Sequence, residues 1–221
     1  MEPYLLWGYV HILLFVFWLG ADVGVFLSVV RAKNSELSFE TRAALMKLGM
    51  TVDLFPRTCF ALIIPVGLHM TRDLGLYPFS GGMLVGAWIL AALWIAAIFT
   101  GFRNEGKPIA VTLAKGQLVF EGIMGVLVVG VGVMSLINGA PLVDTWFAVK
   151  ITLFGLAFFA ALGIDFAFTP AIKPFMEIGT EGSTPEREAL YSKAVNHTLV
   201  WVLTLYVLIA LIAFMGKVQP I

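Results

Sequence analysis

His11, His69 and Lys150 are the residues through which this chain of 221 residues can do chemistry, because each lies inside a long apolar segment. Neutral imidazoles ligate a transition metal without burying a charge. One histidine on each of two helices at similar depth is the arrangement for six-coordinate heme b, whose apolar macrocycle replaces lipid or side chains between helices. Lys150 is harder to explain as filler, since an ammonium at a helix centre costs about 2.5–3.5 kcal/mol, though less near an interface. It calls for an anion such as a heme propionate, a substrate carboxylate or a nearby Asp, or else for a stem that snorkels to the headgroups. Met70 beside His69 sets a soft ligand next to a borderline one, which makes copper the alternative metal.

A second group of ionisable residues, Asp22, Arg57, Glu121, Asp165 and His197, falls toward the opposite ends of the apolar segments. Together they form a proton path or a binding funnel, or they pair with one another, Arg57 with Asp22 or Asp53. His197 has no histidine partner at its depth, so the sequence offers one bis-histidine site. The candidate catalytic residues are therefore Lys150, Asp22 and Asp165. The candidate cofactor-binding residues are His11, His69, Lys150, Trp18 and Trp146, with His11 and His69 as metal ligands.

These positions depend on the segments that carry them. With 60% hydrophobic and 13% charged residues, the composition excludes a soluble globular domain and points to a polytopic membrane protein. Six runs of about 20 apolar residues or more, roughly 4–30, 56–73, 82–101, 117–137, 145–171 and 190–215, predict an all-α bundle of six transmembrane helices in a single domain. A β-barrel would instead show short alternating segments. Segment 38–55 reads as an amphipathic helix on the membrane surface, with Phe39, Ala43, Met46, Met50 and Leu54 on one side and Glu40, Arg42 and Lys47 largely elsewhere.

Smaller signals refine this plan. Thr184-Pro185-Glu186 predicts a helix start ahead of the last span. Pro65 predicts a kink near His69, and the alanine-rich third span reads as packing. Gly122, Gly125, Gly130 and Gly132 predict close helix packing in the fourth. Basic residues cluster in or beside the loops after spans one, three and five, which puts both termini on the periplasmic side of a bacterial inner membrane. Met1-Glu2-Pro3 shows no cleavable signal, the single Cys59 excludes an internal disulfide, and no basic tract suggests nucleic acid.

Helical rise places His11 roughly 10 Å below Tyr4, Lys150 roughly 9 Å below Asp144 and His69 roughly 5 Å below Arg72, so all three share one layer. Tyr9-Val10-His11 followed by Trp18, a proline-bearing second span, Trp146 to Lys150 opening Lys150-Ile151-Thr152-Leu153, and a last span led by Lys193 and Asn196 resemble the HemJ-type protoporphyrinogen oxidases and CopD-type copper-resistance membrane proteins. In the HemJ type the first-helix histidine and the tryptophan-associated lysine serve heme binding and activity, which the resemblance carries to His11 and Lys150. His197 stands where that pattern has an acid, and spans three and four are additions to the HemJ plan. The resemblance implies a heme b redox protein that oxidises a porphyrinogen or exchanges electrons with a quinone or other membrane partner. CopD-like copper handling is the alternative, and a non-catalytic subunit of a larger complex or homo-oligomer is a third.

Overall fold

Lipid offers no hydrogen bonds to an exposed backbone, so apolar runs of this length satisfy their amides internally, as helices. The computed structural model describes residues 3–220 and contains seven helices and no strand among them. They are α1 (Pro3–Ala32), α2 (Phe39–Val52), α3 (Leu54–Asp73), α4 (Gly81–Arg103), α5 (Pro108–Asn138), α6 (Thr145–Glu181) and α7 (Pro185–Val218). By length and apolar character six helical stretches suffice to cross a membrane, α2 and α3 counting as one of them. Their outward faces carry large apolar side chains such as Leu93, Val119, Ile137 and Phe166, the surface a multi-pass protein offers to lipid. Short connections make successive long helices antiparallel, which gives the bundle an amino-terminal end and an opposite end where α2 sits.

Local chemistry sets several boundaries. Ser38, Ser80 and Thr184 each accept a hydrogen bond from the backbone N–H three residues on, capping α2, α4 and α7. Gly139 ends α5 at φ 68°, in the left-handed region that favours glycine. Two helices exceed the apolar runs that predicted them: α5 starts at Pro108, and α6 passes through Pro170 and Pro174 to Glu181. Lipid sets the length of a run, whereas hydrogen bonding and packing set the length of a helix.

At 37 and 34 residues, α6 and α7 are about 55 and 51 Å long, against a hydrocarbon core of about 30 Å. Their surplus at the α2 end forms a helical hairpin, and α2 docks on it. Arg42 makes that joint. Its Nε donates to the Ala32 carbonyl at 2.8 Å, and its two terminal nitrogens donate to Glu188 at 2.7 and 2.9 Å. The guanidinium also lies over the Tyr191 and Phe175 rings, and Phe39 packs on Phe175. Arg42 is thus 1% exposed, whereas the sequence had set it apart from the apolar side of a surface helix. The correction has a physical reason: α2 lies against protein, so a charge with a bidentate partner can face inward.

The glycines of α5 serve packing, though unequally. A Cβ at Gly132 would come within 2.7 Å of the Thr152 backbone N, and one at Gly155 of α6 within 2.6 Å of the Val129 backbone N, while one at Gly130 would meet nothing. Gly155→Ala is expected to lower the thermal midpoint in detergent and Gly130→Ala to leave it unchanged, as read by differential scanning fluorimetry.

The Arg42 joint also makes a pH prediction. Hydrogen bonds from Arg42 hold the Glu188 carboxyl below the usual carboxylate range. A depressed folded-state pKa contributes stability above the unfolded value of about 4.3, and that stability is lost as pH falls through the folded value. Amide exchange in α2 is therefore expected to stay slow at neutral and weakly acidic pH and to quicken below about pH 4. Arg42→Met should quicken it at pH 7, through a loss on the order of 3–5 kcal/mol.

Candidate functional site

At the amino-terminal end, α1, α3, α6 and α7 bring His11 and Lys150 together. The His11 ring lies against Gly67 of α3, where an added Cβ would sit 3.5 Å from its Cε1. Its Nδ1 is buried and has no hydrogen-bond partner. Lys150 reaches across α6 to Gly216 of α7, where a Cβ would come within 2.7 Å of its Nζ. Lys150 and His11 are close enough for their charges to interact. No carboxylate forms an ion pair with Lys150 among the described residues.

His69 has other company. It stacks on Trp7 with ring centroids 4.3 Å apart, and its Nε2 accepts the indole N–H of Trp88 at 3.1 Å. Trp7 lies one turn before His11 on α1, so His69 and His11 each meet the α1–α3 pair, one turn apart. Trp146 packs beside Phe147 in a small cluster with Leu142 and Ala148. Trp18 lies two turns along α1 from His11, stacked on Phe60 at 4.7 Å in the main core.

Toward the α2 end the bundle holds a half-open cavity of about 550 Å³, within the range of about 300–1,000 Å³ usual for small-molecule sites. All seven helices contribute to its wall. Trp18, Phe60 and Trp94 line it toward the middle of the bundle, and Glu105 and Gly106 of the α4–α5 loop line it at the other end. Asp22, Asp53, Arg57, Glu121 and Asp165 line it as well, four carboxyl groups around one guanidinium.

Arg57 organises this group. Its Nε donates to Asp53 at 2.6 Å and its Nη2 to Asp165 at 3.2 Å. Asp53 is placed by the α2–α3 junction, where its own N–H bonds the Gly49 carbonyl at 2.9 Å and its carbonyl accepts the Arg57 N–H at 3.2 Å. Glu121 accepts from Gln117 through Oε1 at 2.9 Å, whereas Oε2 is buried without a partner, as is the indole N–H of Trp94. The Tyr206 hydroxyl faces Asp22 and interacts with it, outside normal hydrogen-bond geometry. No three His, Cys, Asp or Glu side chains converge as a metal-ligand set among the described residues.

Of the ionisable groups read from the sequence, Asp22, Arg57, Glu121 and Asp165 do meet. His197 does not join them: it is exposed on α7, one position before the cavity-lining Thr198. Asn196 is likewise on the outside, accepting from Lys33 at 2.6 Å. The sequence reading assigned α4 to packing, yet Trp88 holds His69 and Trp94 walls the cavity. An indole N–H inside a membrane span needs a partner, and that was the signal to follow. Gln117, four residues before Glu121, was similarly legible as a partner on the same helical face.

Compared with known proteins, the chain matches no family model, no curated protein and no solved structure. Its own geometry therefore carries the argument. Arg57→Gln would leave Asp53 and Asp165 facing each other without a cation. At 27–33% side-chain exposure the cost should lie between the ~1 kcal/mol of a surface pair and the ~3–5 kcal/mol of a broken buried one. The expected result is a lower melting temperature in detergent, recovered in part when Asp53→Asn and Asp165→Asn are added.

Proposed function

We propose that this multi-pass membrane protein binds heme b at its amino-terminal end and exchanges electrons with a membrane partner such as a quinone, as its resemblance to the HemJ type implies. The observation that carries this reading is the buried Nδ1 of His11, which has no hydrogen-bond partner among the described residues, within electrostatic range of a Lys150 that has no carboxylate partner among them either. An unsatisfied buried nitrogen costs about 1–3 kcal/mol, which ligation would relieve.

In this reading His11 holds the iron and orients the group, Lys150 meets a propionate, and the surrounding apolar helices exclude water. Heme, when bound, supplies a one-electron centre. His69 is a second ligand only if Trp88 releases its Nε2, so His11 carries the assignment. Asp22 and Asp165 line the polar route at the α2 end, and the substrate implied by the resemblance is a porphyrinogen. The basic residues concentrated around the α2 end support a reading with that end in the cytoplasm and the termini in the periplasm of a bacterial inner membrane. Copper handling through His69 and Met70 has less support, because the Trp88 indole N–H occupies the His69 Nε2.

An optical spectrum of the purified protein, oxidised and then reduced with dithionite, tests the proposal. Sharp reduced bands of a b-type heme are expected, lost in His11→Ala and weakened in Lys150→Met. A well-folded preparation that shows no such bands, even after hemin is added, would exclude heme.

A further inference from the structure

The cavity at the α2 end holds more negative than positive groups, and among the described residues its surplus meets no second cation within ion-pair distance. Arg57 is committed to Asp53 and Asp165. Glu105 pairs with Lys47, and two lining carboxyl groups remain without a direct cation contact. Asp22 has the Tyr206 hydroxyl beside it and only the longer-range field of Arg57, and Glu121, just 2% exposed, keeps Oε2 without a partner among the described residues while lining the cavity. A charge enclosed in a membrane bundle is paired, neutralised or matched by a ligand of opposite sign.

The walls narrow the class of ligand. An anion would meet the carboxylates, which disfavours it. A bare divalent metal ion needs several converging oxygens, and the carboxyl groups do not gather into such a set among the described residues. Trp18, Phe60 and Trp94 form an aromatic surface in the same cavity, with Phe60 packed against both indoles. Aromatic faces attract cations and also shelter an apolar body. The unpaired indole N–H of Trp94 adds one donor.

We propose that this cavity is a binding site for an organic cation: a molecule with one ammonium-type charge set against Glu121 and Asp22, and an apolar body held among Trp18, Phe60 and Trp94. The site lies apart from His11 and does not depend on heme. Bound charge there replaces water that would otherwise solvate the carboxylates, and the aromatic wall selects against small hydrated ions.

The test is equilibrium binding of radiolabelled tetraphenylphosphonium to the purified full chain in detergent, read by scintillation proximity. Saturable binding to one site is expected, displaced by a quaternary ammonium of similar size but not by a neutral short-chain quinone. Glu121→Gln and Asp22→Asn should each weaken it by about tenfold, the loss of one charge-assisted contact, without altering the gel-filtration profile. Ala161→Leu, which narrows the cavity and changes no charge, should weaken it too, and it carries the test if either carboxyl variant fails to fold. His11→Ala should bind as the parent does. The proposal is overturned by a folded parent protein that binds no probe saturably, by variants that bind it unchanged, or by a neutral quinone that displaces it as well as the ammonium.

Discussion

The guanidinium of Arg57 reaches two carboxylates that arrive by different routes, and the α2 end of the bundle is built around that reach. Asp53 comes from one turn earlier on the chain, at the break between α2 and α3. Asp165 comes from α6, 108 residues later. Inside a membrane protein none of these charges can be left without the others, because the lipid gives no solvation to replace a lost partner. The pairing therefore ties the α2–α3 junction to α6. It also keeps polar groups where helices would otherwise close on apolar side chains, and so the cavity persists beside it.

Arg42 applies the same rule at the α2 end. The extra length of α6 and α7 creates a protein surface there, and α2 finds on it a carboxylate and two aromatic rings. A helix whose apolar face alone would draw it to lipid is thereby held by a directed, bidentate contact. The α1–α2 connection takes part, since Arg42 also bonds the Ala32 carbonyl.

The two ends of the bundle consequently differ in kind. At the amino-terminal end, α1 and α3 approach where Gly67 leaves room for the His11 ring, α6 and α7 where Gly216 leaves room for Lys150, and polar atoms stand almost singly among packed helices. At the α2 end the helices diverge around a volume wide enough for a small molecule, with polar atoms in a connected group. A lone imidazole nitrogen suits a ligand that brings its own apolar bulk. A surplus of carboxylates suits one that brings charge.

Much of this was legible in the residues alone. Runs of about 20 apolar residues can satisfy their backbone in lipid only as helices, so the six spans, their alternation and the cap at Thr184 followed from local composition. Depth was legible for the same reason, since helical rise is constant: His11 with Lys150 in one layer, and Asp22, Arg57, Glu121 and Asp165 in another. Rotation was not, because the apolar character of a lipid-facing helix is nearly uniform around its axis and leaves no stripe to mark the inward face. Only the packed bundle engaged His69 with Trp7 and Trp88, sent His197 outward while Thr198 faced in, buried Arg42 against Glu188, and set Trp18 in the cavity wall. Sequence by itself determined what each helix carries and at what height; the tertiary structure decided which side chains meet, since that depends on close approaches such as those at Gly67, Gly155 and Gly216 between residues far apart in the chain.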